Sequence, residues 1–308
     1  MNSRRDFLRG TALAAGLGAI PFRSALALEP GQPSQTARGA AMQRAVHQLL
    51  ETPRVFDDPV ALRIFGAETV RWLGHNLDRY RSVGSRAMRA FLVMRSRYAE
   101  DQLALAVGRG VRQYVVLGAG LDTFACRNPH PRLRVFEVDH PSTQGWKRSR
   151  LVEQSIAVPR SLTFAPVDFE TQTLAAGLKA AGFRADRAAF FSWLGVVIYL
   201  SKPAVAETLR YIAARPAGSQ VVFDFAPPSE SISEYERASR AVSAARVARA
   251  GEPWINYYSP GPFVDELRAS GFASAYFVGS GEMNARYFDG RADGFRLYGS
   301  GRMMAAQV

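Results

Sequence analysis

From position 111 onward the chain alternates short apolar runs with stretches whose apolar residues recur every three or four positions. The runs at 114–117, 134–138, 162–167, 188–193 and 219–225 predict five strands, since short continuous apolar runs suit strands covered on both faces. Helices are predicted after 144, across 172–181 and over 203–214, which gives the rhythm of a parallel sheet wound with helices on both sides. After a helix at 262–270, "FASAYFVGS" and "GFRLYGSGRMMAAQV" predict two closing strands joined by a loop, one of them antiparallel.

Upstream of this core the pattern is helical from 38 to 108, with breaks near Pro53, Asp58-Pro59 and Gly84. The segments "RAVHQLLETPRVFDDPVALRIF" and "RAFLVMRSRYAEDQLALAV" each space apolar residues three to four apart. Residues 29–37, rich in Pro, Gly and Ser, read as a linker. The stretch 226–260 is too long for a bare connection and carries a helical pattern at 233–250. It is expected to form a lid over the carboxyl ends of the strands, where open α/β sheets bind ligands. The expected organisation is a leader at 1–27, a linker and N-terminal helical cap at 28–110, and a binding core at 111–308 with the lid inserted at 226–260.

The leader is read from its own residues. Ser3-Arg4-Arg5-Asp6-Phe7-Leu8-Arg9 matches the twin-arginine export pattern, an apolar stretch at 11–20 follows, and Ala25-Leu26-Ala27 places small residues at the cleavage positions. The apolar stretch is shorter than the roughly 20 residues that span a bilayer, so stable membrane insertion is not expected. Export to the periplasm or beyond is the expectation, with a cytoplasmic location where the segment is not used as a signal.

Composition narrows the chemistry. Apolar residues make up 47% and charged residues 21%, an ordinary globular balance for 308 residues. The net charge of +12 is carried almost wholly by arginine, scattered and without a basic block, which speaks against a nucleic-acid partner and for arginines that hold anionic groups. The expected partner is a small-molecule acceptor, an anionic one included. Cys126 is the only cysteine, which excludes an internal disulfide, and His47, His75, His130 and His140 are dispersed, so no metal site is expected.

The first predicted strand runs into Gly118-Ala119-Gly120, followed by Leu121-Asp122-Thr123. Glycines at a strand end let a ligand approach the backbone closely. The third glycine of a dinucleotide turn is replaced by Thr123, and the neighbouring Asp122 would repel a pyrophosphate but suit an ammonium group. Glu137 lies 19 and Asp139 lies 21 residues after Gly118, at the end of the second strand, where a carboxylate accepts hydrogen bonds from ribose hydroxyls. Asp168, with Phe169 beside it, ends the third strand and can meet an adenine amino group. An adenosine with an ammonium and no phosphate satisfies all three positions, and S-adenosylmethionine is such a ligand.

"GAGLDTFACR", "VFEVDHPSTQGWKR", "PVDFE", "FFSWLGVVIYL" and "GEPW", in that order, resemble the leucine carboxyl methyltransferase-like family of class I methyltransferases. The resemblance implies an α/β, Rossmann-like, doubly wound seven-stranded sheet with its last strand antiparallel and N-terminal helices closing over the cofactor. It implies that Gly118 and Gly120 lie along the methionine moiety, that Glu137 holds the ribose, that Asp168 and Phe169 frame the adenine, and that Asp122-Thr123 completes the turn. An arginine of the preceding helix, Arg95 first and Arg97 second, is expected at the cofactor carboxylate, and Arg127 belongs to the same motif. Two departures stand out. Leu194 occupies a position that is acidic in many relatives, and the turn ends Thr123-Phe124-Ala125-Cys126-Arg127 in place of a "TRAYR"-like sequence.

The implied activity is methyl transfer to a carboxylate or hydroxyl oxygen. Acceptor-side candidates are Tyr199, Tyr257 and Tyr258, with His140 as a candidate base. Two rivals remain. A nicotinamide- or flavin-dependent oxidoreductase is opposed by Thr123, Asp122 and the closing strand pair. A protein that keeps the fold without methyl transfer is left open by Leu194 and the leader.

Overall fold

Hydroxyl and carboxylate caps start several of the helices in the computed structural model, which describes residues 34–168, 171–249 and 251–308. The expected leader at 1–27 and Phe169 lie outside the described residues. Ser34 caps α1 (Gln35–Leu50) by accepting from Ala37 N at 3.0 Å, so the last residues of the expected linker are already helix. Asp58, with Pro59 after it, caps the short α2 (Pro59–Arg63), and α3 (Gly66–Asn76) follows. Ser82 caps α4 (Val83–Gly108), which places the break just before Gly84.

The core then runs β1 (Gln113–Leu117), β2 (Arg134–Asp139), α5 (Pro141–Glu153), β3 (Leu162–Pro166), α6 (Leu174–Ala180), β4 (Phe190–Trp193), α7 (Lys202–Ala213), β5 (Gln220–Phe225), α8 (Glu234–Arg249), α9 (Pro260–Ala269), β6 (Ser274–Val278), α10 (Ser280–Tyr287) and β7 (Arg302–Gln307). The strands form one seven-stranded sheet in the order β3-β2-β1-β4-β5-β7-β6. β1 to β5 pair in parallel, and β7 is antiparallel to both β5 and β6. One expectation is corrected: the connection between the closing strands is not a loop throughout but contains α10, anchored by the buried Met283 with Phe288 just beyond it.

Alternation along the strands feeds two layers. Val115, Leu117, Phe191 and Phe223 face one way and pack with Leu209, Ile212, Phe263 and Leu267. Tyr114, Val116, Phe190 and Val222 face the other way and pack with Val93, Tyr98 and Leu103 of α4 and with Phe295. A third cluster joins α1 and α2 to Leu121 and Leu151, and so ties the helical cap to the glycine turn. Strand order reverses between β1 and β4, the switch point at which such sheets open a crevice. Among the described residues no helix is long and apolar enough to cross a membrane, and no group of three or more His, Cys, Asp or Glu could hold a metal ion.

Candidate active site

The end of β1 is stitched to the end of β2 by Gly118 N and Ala119 N, which both donate to Val138 O, at 2.9 and 3.1 Å. Gly118 and Gly120 take φ of +67° and +50°, a region costly for other residues. Space reinforces the choice: a Cβ on Gly118 would lie 2.4 Å from Val196 Cγ2, and one on Gly120 would lie 3.1 Å from Ala37 Cβ of α1. Gly120 N donates to Asp139 Oδ2, and His140 N donates to Asp139 Oδ1 at 2.7 Å. Asp139 therefore fixes the turn while standing at the strand end.

Above this turn lies a cavity of about 1110 Å³, bounded by the carboxyl ends of β1 to β5, the start of α1, one face of α4, the helix α8 and the 299–301 loop. Gly118, Gly120, Asp139, His140, Asp168, Leu194, Tyr199 and Arg95 all line it, so the structure brings together most of the residues that the sequence singled out.

Glu137 is the main correction. It does not line the cavity but lies buried behind the turn in an ion pair with Lys147, whose Nζ also donates to Asp122 O at 2.6 Å. Burial outweighs the nearby ammonium and pushes the Glu137 carboxyl up to about 7. The cavity-facing carboxylate of β2 is Asp139, two residues on, where the strand has run out of covering layers.

Asp122 is also corrected: its carboxylate accepts from Phe124 N at 2.8 Å and caps a short turn outside the cavity lining. Arg127 pairs with Glu100 and Asp58 and lies over the Phe56 ring, away from the cavity. Arg97 pairs with Asp101 on an exposed face of α4, which leaves Arg95 as the arginine of that helix at the cavity.

Arg95 Nη1 donates to Asp224 Oδ2 at 3.1 Å, and Asp224 Oδ1 accepts from Gly195 N at 2.6 Å. Gly195, at φ +73°, lies under the guanidinium; a Cβ there would sit 2.7 Å from Arg95 Nη2. Asp224 was not singled out by the sequence, and its only signal was its place near the end of an apolar strand. It supplies from β5 a carboxylate next to the segment in which Leu194 replaces an acid.

Among the acceptor-side candidates Tyr199 lines the cavity, 7% exposed, and burial raises its pKa. Tyr258 does not line it. Its ring stacks on Phe263 at 3.7 Å, Asn256 Nδ2 donates to its hydroxyl, and burial pushes it up to about 12, so it is a core residue. Tyr257 lies under Arg240 rather than on the cavity wall. His140 lines the cavity, yet its Nδ1 caps α5, 3.3 Å from Ser142 N and 2.8 Å from Ser142 Oγ.

The lid and the helical cap meet at Glu252, whose carboxylate accepts from Ser34 Oγ, Gln35 N and Thr36 Oγ1 at the start of α1. A carboxylate at a helix N-terminus meets free N–H groups and the positive end of the helix dipole. This latch holds α1 across the cavity mouth.

Residues 37–213 match the model of the family described as Leucine carboxyl methyltransferase. A Bacillus subtilis (strain 168) protein named "Putative S-adenosyl-L-methionine-dependent methyltransferase YktD" is 28% identical over 296 residues, spanning 88% of this chain and 96% of its own length. A Frankia alni relative of the same description is 33% identical over 214 residues, spanning 63% of this chain and 69% of its own length. Among solved structures, a "putative methyltransferase" from Thermobifida fusca has a TM-score of 0.53 at 15% identity, covering 91% of this chain and 96% of that one, which shows the shared fold. Fold and relatives define a class I, S-adenosylmethionine-dependent methyltransferase. The chain belongs to the leucine carboxyl methyltransferase family, and S-adenosylmethionine is its cofactor.

Proposed function

We propose that the protein methylates an oxygen of a small molecule, with a carboxylate as the acceptor its residues suit best. The observation that carries this reading is a cavity with glycine backbone and carboxylates on the sheet side and a wall of α4 and α8 residues opposite. Its volume, about 1110 Å³, lies just above the ~300–1,000 Å³ range of single small-ligand sites and leaves room for two ligands.

The residues present fit S-adenosylmethionine. The bare backbone of Gly118 and Gly120 allows close approach, Asp139 and Asp168 end adjacent strands, and Arg95 stands across the switch point. Thr143 Oγ1, on another lining residue, is a buried polar atom without a protein partner. In this reading Asp139 accepts from the ribose hydroxyls, Asp168 meets the adenine amino group, and Arg95 pairs with the amino-acid carboxylate. When bound, S-adenosylmethionine supplies an activated sulfonium methyl.

The work left to the chain is alignment and exclusion of water. The start of α1, held by Glu252, and the helix α8 cover the cavity. Tyr199, raised by burial, stays protonated near neutral pH and can donate a hydrogen bond but not take a proton. His140 Nδ1 is engaged as a cap, and Asp224 is held by Arg95 and Gly195. A carboxylate acceptor, which has no proton to lose, fits this set better than an alcohol does.

Incubation with methyl-labelled S-adenosylmethionine and a library of carboxylic acids, phenols and alcohols tests the proposal. The expected product carries label that mild alkali releases, as from a methyl ester. Label stable to alkali, on nitrogen, carbon or an ether oxygen, would contradict a carboxylate acceptor.

A further inference from the structure

Three arginines line the cavity, Arg44, Arg95 and Arg240, and two of them have carboxylate partners. Arg44 donates to Leu121 O at 2.6 Å and lies 3.7 Å from Asp58, and Arg95 donates to Asp224 at 3.1 Å. Arg240, on α8, differs. Its Nη1 donates to Pro227 O and its Nη2 to Ser300 Oγ, both at 2.6 Å, and its guanidinium carbon lies 5.4 Å from the centre of the Tyr257 ring. Among the described residues no carboxylate lies within ion-pair distance, 4.0 Å, of Arg240. The acid one turn earlier on the helix, Glu236, is used elsewhere: its Oε2 accepts from Ser233 N at 3.0 Å and Ser233 Oγ at 2.9 Å in a capping box.

A guanidinium cannot shed its charge, and a partly buried cation without a counter-charge is costly. Burial lowers the Arg240 pKa, Tyr257 and the more distant carboxylate of Glu236 offset this in part, and the charge of Arg302 adds to the lowering. The side chain is nonetheless held in one place by two neutral acceptors, which use two of its five N–H donors. The cavity lining contributed by α8 and the 299–301 loop also includes Glu236, Ser243 and Val247, with Gly299 and Gly301, and Glu236 is turned to its cap rather than paired with Arg240. A fixed cation in such surroundings has the form of a receptor for an anion brought in by a ligand.

We propose that Arg240 and Ser300 form the anion subsite of the acceptor half of the cavity, so that the acceptor is an acid whose anionic group, a carboxylate in the simplest case, docks on the lid. The inference rests on the methyltransferase reading above. Arg240 is a specificity residue here, presented by a helix that already covers the site.

The test uses the full chain saturated with S-adenosylhomocysteine, titrated with a panel of aryl- and alkyl-carboxylic acids, dicarboxylic acids among them, each paired with its neutral amide. At least one acid is expected to bind about tenfold or more tighter than its amide, the size of one hydrogen bond to a charged group. Arg240→Gln is expected to erase that preference and Arg240→Lys to keep part of it, while the Kd for S-adenosylhomocysteine stays within about twofold of wild type. Equal binding of acids and amides, no acid bound at all, or a preference that survives Arg240→Gln would each overturn the subsite. Failure of S-adenosylhomocysteine itself to bind would instead overturn the reading on which the subsite rests.

Discussion

Glu137 and Asp139 show how two residues of one strand can divide structure from function. Both carboxylates belong to β2, two positions apart, yet one is buried against Lys147 and the other ends the strand beneath the glycine turn. The Glu137 carboxyl is raised from 4.5 to about 7 by burial, so the folded state holds its proton more tightly than the unfolded chain does. Its contribution to stability is therefore full below about 4.5 and is lost as pH rises through about 7. Thermal midpoints measured from about pH 5 to about pH 8 should fall for wild type relative to Glu137→Gln, whose S-adenosylhomocysteine affinity should match wild type. A constant offset between the two would show that Glu137 does not titrate in this window.

The end of β2 lies at the cavity as expected, but the carboxylate that lines it is Asp139 rather than Glu137. Spacing from Gly118 allowed both, and only the depth of the covering layers separates them. Asp122 misled for a related reason: a carboxylate beside a glycine turn is as well placed to cap the next backbone turn, which is what it does at Phe124 N. Arg95 and Arg97 were separable only once the face of α4 toward the cavity was known.

At the scale of elements, the strands were legible because buried parallel strands are continuous apolar runs. α10 was missed because "SGEMNARY" has little apolar periodicity and leans on Met283 and the following Phe288 for its anchor. Asp224 was missed because nothing local marks it; its role comes from two other elements, α4 through Arg95 and the turn after β4 through Gly195. Asp224 thus acts as a positioning residue for Arg95. Asp224→Ala should weaken S-adenosylhomocysteine by about tenfold or more while leaving 5′-methylthioadenosine, which lacks the amino-acid end, within about twofold. Equal loss for both ligands would mean that Asp224 supports the fold rather than the arginine.

The whole molecule joins three layers at one crevice. The reversal of strand order between β1 and β4 opens the sheet, α4 packs one face beside it, and α1 and α8 close over it, joined through Glu252. The latch at Glu252 could not be read from the sequence, since the "GEPW" segment and the start of α1 lie more than 200 positions apart, with separations of 216 to 218 for its three contacts. In the proposed function this crevice binds the methyl donor through Asp139. Calorimetric titration of the full chain with S-adenosylhomocysteine and with NADH, for wild type and Asp139→Ala, tests it most directly. Micromolar binding of S-adenosylhomocysteine, weakened about tenfold or more by Asp139→Ala, and no binding of NADH are expected. Absence of S-adenosylhomocysteine binding, or binding indifferent to Asp139, would contradict it.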